Sequence, residues 1–145
     1  MNMIRSVLAA LERFPLPIVV LAMRIGVGMV FFKSALTKLD DGWMVSDSAV
    51  ALFQDEYKVP ILPPALAAGL GTLNEFFCSL MVILGLGARL GAAALLALTA
   101  VIQFLVYPGN WAEHLMWASL LAYVLTRGPG PVSADYLIAR QFRMA

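Results

Sequence analysis

The chain has 145 residues, of which 61% are hydrophobic and 13% are charged, and its formal net charge is +1. A soluble domain carries about 45–50% hydrophobic and about 25% charged residues, and a fold of this size buries too little surface to hide so much apolar material. The composition therefore excludes a soluble globular enzyme. The near-zero net charge gives no field that would attract nucleic acid, and the length suits one domain.

The N-terminal segment has apolar residues at helical spacing. Ile4, Val7, Leu8 and Leu11 recur every three or four positions, and the charged residues fall elsewhere on the helical wheel. This pattern predicts an amphipathic helix that lies in the membrane interface. Because Glu12 interrupts the apolar run and no small-residue cleavage site follows, we expect the segment to be retained and not to be a signal peptide.

Four stretches are long and apolar enough to be membrane-spanning helices, since a helix needs about 20 mostly apolar residues to cross the hydrocarbon layer. They cover residues 16–36, 64–86, 88–107 and 110–126. Short turns with Gly or Pro separate the last three, so successive helices must run antiparallel. The sequence predicts an all-α integral membrane protein, a four-helix up-down bundle that forms a single domain over residues 1–145.

The longest connection, residues 39–63, is predicted to be a partly helical outer loop. Ser46 or Asp47 can cap a short helix that runs through Ala49 to Phe53. A loop of this length is usually functional or folded onto the rest of the protein. It is therefore the candidate surface for a protein partner.

Positive charges are distributed unevenly between the two sides of the four-span scheme. Six arginines fall on one side and three lysines on the other, and the positive side of a membrane protein is the cytoplasmic one. Both termini are thus predicted to be cytoplasmic. The six are Arg5, Arg13, Arg89, Arg127, Arg140 and Arg143, and the three are Lys33, Lys38 and Lys58.

Two charged residues fall within predicted spans, where charge is costly and usually functional. Arg24 lies in the first span and Glu75 in the second, each 12 positions from an outer helix end when Leu36 and Pro63 are taken as those ends. We therefore predict an Arg24–Glu75 ion pair near mid-membrane, which serves either ligand or proton handling or only helix register. Lys38 shares the helical face of Arg24 and is an inward-facing cation at the mouth, or else a solvated loop lysine.

The outer halves of the third and fourth spans carry the remaining polar and aromatic groups. Thr99, Gln103 and Tyr107 fall at i, i+4 and i+8 on one helical face. With His114 and Trp117 they predict a half-buried pocket that is open to the outer leaflet and suits a quinone headgroup. Aromatic residues at this depth are also typical of an ordinary interfacial belt. The candidate ligand-binding residues are Arg24, Lys38, Glu75, Gln103, Tyr107, His114 and Trp117.

Residue counts limit metal and catalytic chemistry. The chain has one His and one Cys, so it offers no bis-His haem ligation, hydrolase triad or cysteine-rich metal site. We predict no catalytic residue and no metal site, and quinone is the one cofactor that the predicted pocket suits. Gly87 and Gly91 form a small-residue strip that packs inside the bundle or, alternatively, forms the seam of a homo-oligomer.

Three sequence blocks carry a family resemblance. They are Arg24 followed by FFKSALTKL, the block TLNEFFCSLMVILGLGARLGA, and YPGNWAEHLMW. The chain resembles the DoxX family of small four-helix membrane proteins over roughly residues 24–137. The matching elements are Arg24, Lys38, Glu75, the turn from Gly85 to Arg89, and Gln103 with His114. Ser34 stands where many members have glycine, four residues before the lysine.

The resemblance implies a protein of the bacterial inner membrane in a setting of metal handling or oxidative stress. It is nearest in appearance to DoxX-like members that accompany operons for copper-binding modified peptides, and the family name comes from quinone-linked sulfur oxidation. The first hypothesis is a non-catalytic accessory subunit that docks a redox or metal-handling protein. The alternatives are a quinone- or quinol-binding subunit of an oxidoreductase and a small proton-coupled transporter that uses Glu75.

Overall fold

The computed structural model describes residues 2–143, and their regular secondary structure is helical apart from one isolated antiparallel bridge between Leu39 and Val45. The helices are α1 (Asn2–Glu12), α2 (Leu16–Leu36), α3 (Asp47–Leu52), α4 (Pro64–Leu84), α5 (Ala88–Val101), α6 (Trp111–Arg127) and α7 (Ala134–Arg143). A π-helical turn extends α3 over Phe53–Tyr57, and another extends α5 over Ile102–Val106.

Three helices in the described part of the chain are long and apolar enough to cross a membrane: Leu16–Leu36, Pro64–Leu84 and Ala88–Val106. The protein is therefore an all-α membrane protein. The first three predicted spans agree with these helices within two residues. The predicted fourth span is the 17-residue α6, about 26 Å long at 1.5 Å per residue, and its crossing of the membrane stays a prediction.

The four long helices pack in chain order, with α2 on α4, α4 on α5, α5 on α6, and α6 back on α2. These helices share an apolar core. Its largest fully buried members include Val27, Phe31, Val82, Leu95, Leu121 and Val124.

The small-residue strip of α5 faces α4 within the same chain. A Cβ atom on Gly91 would lie 2.9 Å from the carbonyl oxygen of Cys78, and Ala88 and Ala92 are fully buried. The interpretation of tight packing inside the bundle is confirmed. The alternative of a homo-oligomer seam along Gly87 and Gly91 stays a prediction.

The outer loop folds onto α4. Ser46 caps α3 as predicted, since its hydroxyl accepts a hydrogen bond from the Ala49 backbone N–H at 3.2 Å. Phe53, at the end of α3, packs on Ala67 and Ala68 of α4. The first turns of α4 are therefore covered by this loop.

The opposite end of the bundle is closed by α7. Asp135 accepts hydrogen bonds from the backbone N–H groups of Gly87 at 2.7 Å and Ala88 at 3.1 Å, which satisfies free donors at the start of α5. Gly85 and Gly87 have φ angles of +70° and +59°, a left-handed conformation that glycine adopts without steric cost. The turn between α4 and α5 is thus held by a carboxylate from the C-terminal helix.

Candidate functional site

A buried ion pair lies in the outer half of the molecule. Lys38 Nζ is 2.7 Å from Glu75 Oε2, and the two side chains are only 6% and 8% exposed. Ser34, one helical turn before Lys38, accepts a hydrogen bond from Nζ at 2.7 Å and donates one to Glu75 Oε1 at 3.3 Å. Lys38 therefore faces inward, which is one of the two alternatives that the sequence left open, while Ser34 was missed as a partner.

The predicted Arg24–Glu75 ion pair is wrong. Arg24 donates instead from Nη2 to the carbonyl oxygen of Val132 at 2.6 Å. The prediction assumed that the outer ends of α2 and α4 are level, but the Phe32 ring stacks on Phe76 at 5.5 Å. Glu75 consequently lies near the level of Ser34, about ten residues or roughly 15 Å along the helix from Arg24.

The direction of the side chains separates the two charges further. Side chains on an α-helix lean toward the N-terminus of their own helix. Because α2 and α4 run antiparallel, Arg24 leans toward one end of the bundle and Glu75 toward the other. Arg24 thus reaches the α4–α5 turn, and Glu75 reaches Lys38.

A small cavity of about 90 Å³ adjoins the ion pair beneath the outer loop. Ser34 and Glu75 lie on one wall, and Tyr57 and Tyr107 lie on another. The Tyr107 hydroxyl donates to the Glu56 carboxylate, and the ring of Tyr107 meets that of Tyr57 at 5.7 Å. At roughly 30 Å³ per molecule of liquid water, the cavity has room for about three waters.

The two tyrosines of this cavity hold their protons firmly. The hydrogen bond to Glu56 is the main cause that raises the pKa of Tyr107 above its usual value, and burial is the main cause that raises the pKa of Tyr57. Both phenols are therefore neutral at physiological pH, and Tyr107 gives its single hydroxyl proton to Glu56.

A second, larger pocket of about 170 Å³ lies between the outer halves of α5 and α6. Gln103 and His114 lie in its wall, and Phe104 and Trp111 face each other edge to face at 5.9 Å beside them. The remaining lining residues are Leu96, Thr99, Ala100, Leu115 and Ala118. The structure brings Gln103 and His114 to one pocket, as the predicted pocket requires, and their role in binding stays a prediction.

The hydrogen bonds of Gln103 fix the tautomer of His114. Gln103 Nε2 donates to the carbonyl oxygen of Pro108 at 2.9 Å, so the Oε1 atom faces His114 Nδ1 at 2.7 Å. An amide oxygen only accepts hydrogen bonds, so Nδ1 must carry the proton. The other ring nitrogen, Nε2, bonds to no residue in the range 2–143 and is an acceptor when the imidazole is neutral.

Tyr107 and Trp117 lie differently from the predicted arrangement. Tyr107 lines the small cavity and not the pocket of Gln103, because the π-helical turn over Ile102–Val106 rotates the chain out of the α-helical i, i+4 register. Trp117 packs between the rings of His114 at 5.1 Å and Phe31 at 5.3 Å. It supports the imidazole from behind.

The described residues, 2–143, contain no group of three or more His, Cys, Asp and Glu side chains arranged to hold a metal ion. Cys78 is a half-buried free thiol on α4. The polar side chains of the two outer sites can form hydrogen bonds and exchange protons.

The family model for DoxX matches residues 19–108, which is more than half of the chain. The chain belongs to the DoxX family. The resemblance inferred from the sequence blocks is thus confirmed, and the matched range includes Arg24, Lys38, Glu75 and Gln103 of this DoxX protein. Neither the curated proteins nor the solved structures contain a significant match to the chain.

Proposed function

We propose that this DoxX protein is a non-catalytic subunit of a membrane redox system and that it binds a quinol headgroup between α5 and α6. One observation carries the proposal: the α5–α6 pocket has the size and the aromatic wall that such a ring needs, and His114 is among its lining residues. Its volume of about 170 Å³ is close to the roughly 150 Å³ of a cavity that admits a six-membered aromatic ring.

The tautomer of His114 supports quinol over quinone when the imidazole is neutral. Its Nε2 atom then accepts a hydrogen bond from a quinol hydroxyl, whereas a quinone carbonyl needs a donor and so needs the protonated ring. Phe104 and Trp111 supply faces and edges for ring stacking. The exposed neighbours Leu115 and Phe104, 63% and 65% exposed, give an isoprenoid tail a path into the acyl chains.

The accessory role rests on the composition and on the outer loop. With one His and one Cys in the sequence, we assign the electron-carrying centre to a partner chain. The loop presents Trp43, Met44 and Ile61, which are 68%, 70% and 99% exposed. We propose these exposed apolar side chains as the contacts for the redox partner.

The proposal includes a membrane topology. We infer that α6 crosses the bilayer as a fourth span, that the bundle is up-down in the bacterial inner membrane, and that both termini are cytoplasmic. The arginine bias between the two sides supports the orientation of the termini. The packing of α6 against both α5 and α2 supports its assignment as a fourth span.

Quinol binding is tested by filling the pocket. Ala100 lines the pocket, while Ala97 is exposed on the same helix and lies outside the lining residues. We expect native protein and Ala97→Phe to retain added menaquinol or ubiquinol in detergent, measured by solvent extraction and mass spectrometry. Ala100→Phe and His114→Phe should retain at least about 10-fold less. Equal retention by Ala100→Phe, or none by the native protein, would refute the assignment.

The partner at the outer loop is tested separately. Native membranes are solubilised in mild detergent, and the protein is purified with and without Ile61→Asp. We expect a chain that carries haem, flavin or an iron–sulfur cluster to copurify in fixed stoichiometry with the native protein and to be lost from the variant. Recovery of the native protein as a lone species that still holds quinol would overturn the accessory role and leave the quinol site standing.

A further inference from the structure

A large cavity lies at the other end of the bundle, away from both outer sites. It measures about 610 Å³ and lies between the first turn of α5, the end of α6 and residues 128–136. Arg89, Arg127, Asp135 and Tyr136 are among its lining residues. Its volume is in the usual range of ligand pockets, about 300–1,000 Å³.

The cavity has two guanidinium groups without a counterion. Arg89 and Arg127 form no ion pair or hydrogen bond with any residue from 2 to 143. The carboxylate in the cavity wall, Asp135, is already bound to the backbone N–H groups of Gly87 and Ala88. Arg89 lies along Gly128, where an added Cβ would be 3.4 Å from Nη2, so the backbone there leaves space for the guanidinium.

A third guanidinium lies beneath the cavity floor. Arg24 is 1% exposed, and its hydrogen bond to Val132 leaves Nε and Nη1 buried without a partner. A Cβ atom added to Gly85 would collide with both Arg24 Nη1 and Ser133. Arg24 Nη1 therefore lies close to Ser133, which lines the cavity. Three guanidinium groups and one carboxylate therefore lie in or beneath the cavity, which leaves an excess of two positive charges.

The surroundings of the cavity are those of a membrane surface. Leu90 in its wall is 73% exposed, and the adjoining α7 presents Leu137 and Phe142 at 63% and 79% exposure. The apolar helix α5 begins at Ala88, beside the cavity. The mouth of the cavity thus lies where an apolar span ends, which is the level of the lipid headgroups.

From these observations we propose that the cavity is a binding site for the phosphate of an anionic phospholipid, with Arg89 and Arg127 as its direct ligands. Guanidinium groups form paired, charge-assisted hydrogen bonds to phosphate oxygens, and basic pockets at the ends of membrane helices bind anionic headgroups. Leu90 and α7 contact the acyl chains. The positive charge of Arg24, beneath the cavity, attracts the phosphate at a distance, and Arg24 does not contact the lipid.

The test compares two double variants that lose the same charge from the same end of the protein. Arg89→Gln/Arg127→Gln removes the proposed ligands. Arg5→Gln/Arg13→Gln removes two exposed arginines on and just after α1, outside the cavity. Each purified protein is titrated with phosphatidylglycerol, with phosphatidylcholine and with glycerol 3-phosphate, and bound lipid is measured by native mass spectrometry.

We expect the native protein to bind phosphatidylglycerol at least about 10-fold more tightly than phosphatidylcholine. The cavity variant should lose about 30-fold in affinity for phosphatidylglycerol, since each arginine near an anionic lipid contributes roughly a fivefold factor, and the α1 variant should lose less than about threefold. The single variant Arg127→Gln, at the exposed end of α6, should lose about fivefold if the double variant does not fold.

Three outcomes would overturn the proposal. Equal losses in the two double variants would show a general charge effect and no site. Equal binding of phosphatidylcholine would remove the role of the anionic headgroup. Binding of glycerol 3-phosphate as tight as that of phosphatidylglycerol would reassign the cavity to a soluble phosphate ester. None of these results depends on whether quinol binds between α5 and α6.

Discussion

Ser34 joins the two charges that the bundle buries in its outer half. Its hydroxyl accepts from Lys38 and donates to Glu75, so the ammonium and the carboxylate each have a second partner besides one another. A buried ion pair is favourable only when such additional hydrogen bonds satisfy it. Ser34 therefore completes the polar cluster in this chain.

Removing one member of this pair should destabilise the protein strongly. Glu75→Gln leaves the Lys38 ammonium buried without a counterion, and we expect the free energy of unfolding to fall by about 3–5 kcal/mol. The melting temperature in detergent measures this loss. Lys38→Met/Glu75→Leu removes both charges and should recover most of the stability.

Lys33 provides the matched control, because it is an exposed lysine on the same helix. Lys33→Met should change the stability by no more than about 0.5 kcal/mol. If Glu75→Gln melts at the native temperature, the pair does not hold the fold, and its charge is free to serve ligand or proton handling.

The extent of each helix could be predicted from the sequence, but the alignment between helices could not. α2 runs over Leu16–Leu36 as predicted, because Pro and a continuous apolar run define its ends. The offset between α2 and α4 arises because Phe53 and the outer loop cover the first turns of α4, and apolar content alone carries no signal for this packing. Because this offset is not visible in the sequence, Arg24 and Glu75 were predicted to form an ion pair.

Local helical geometry also limited the prediction of the outer sites. Gln103 and His114 come together as expected because each lies near the outer end of its helix. Tyr107 was assigned to their pocket from an i, i+4 spacing that the π-helical turn breaks. The extra residue of a π turn has no clear signal in an apolar stretch such as Ile102–Val106.

The close approach of α2 and α4 depends on Gly28. An added Cβ there would collide with the Ile83 side chain and lie 3.3 Å from the carbonyl oxygen of Ser79, whereas a Cβ on Gly26 meets nothing within 4 Å. We expect Gly28→Ala to destabilise the protein by about 1–3 kcal/mol through overpacking.

Gly26→Ala is the control for this change on the same helix. It should be neutral or stabilise by up to about 1 kcal/mol, since alanine favours a helix over glycine by about that amount. Thermal unfolding in one detergent compares the two variants. Equal melting temperatures would contradict the contact between Gly28 and α4.

The whole molecule has its two proposed ligand sites at opposite ends, and the topology decides which side of the membrane each one faces. We predict that both termini face the cytoplasm and that the outer loop faces outward. The experiment introduces single cysteines into a Cys78→Ser background at three exposed positions: Ala10 in α1, Asp41 in the outer loop and Ala139 in α7. Each cysteine reports the side of the membrane on which its segment lies.

A membrane-impermeant maleimide applied to intact cells should label Asp41→Cys alone. Labelling of all three after the cells are broken is the control for reactivity. If Ala139→Cys is labelled in intact cells and Ala10→Cys is not, α6 does not cross the bilayer and the fourth span is wrong.

The offset between α2 and α4 also sets the thickness of membrane that suits the protein. The Phe32–Phe76 contact puts Pro64, the first residue of α4, about eight residues beyond the end of α2, which is about 12 Å. Each helix is roughly 31 Å long, so the two helices together extend over about 43 Å along the bundle. That length matches a bilayer with its headgroups and exceeds the hydrocarbon layer of about 30 Å. Hydrophobic mismatch of this kind is relieved by tilting, so the α2–α4 pair should lean further from the bilayer normal as the lipids are made shorter.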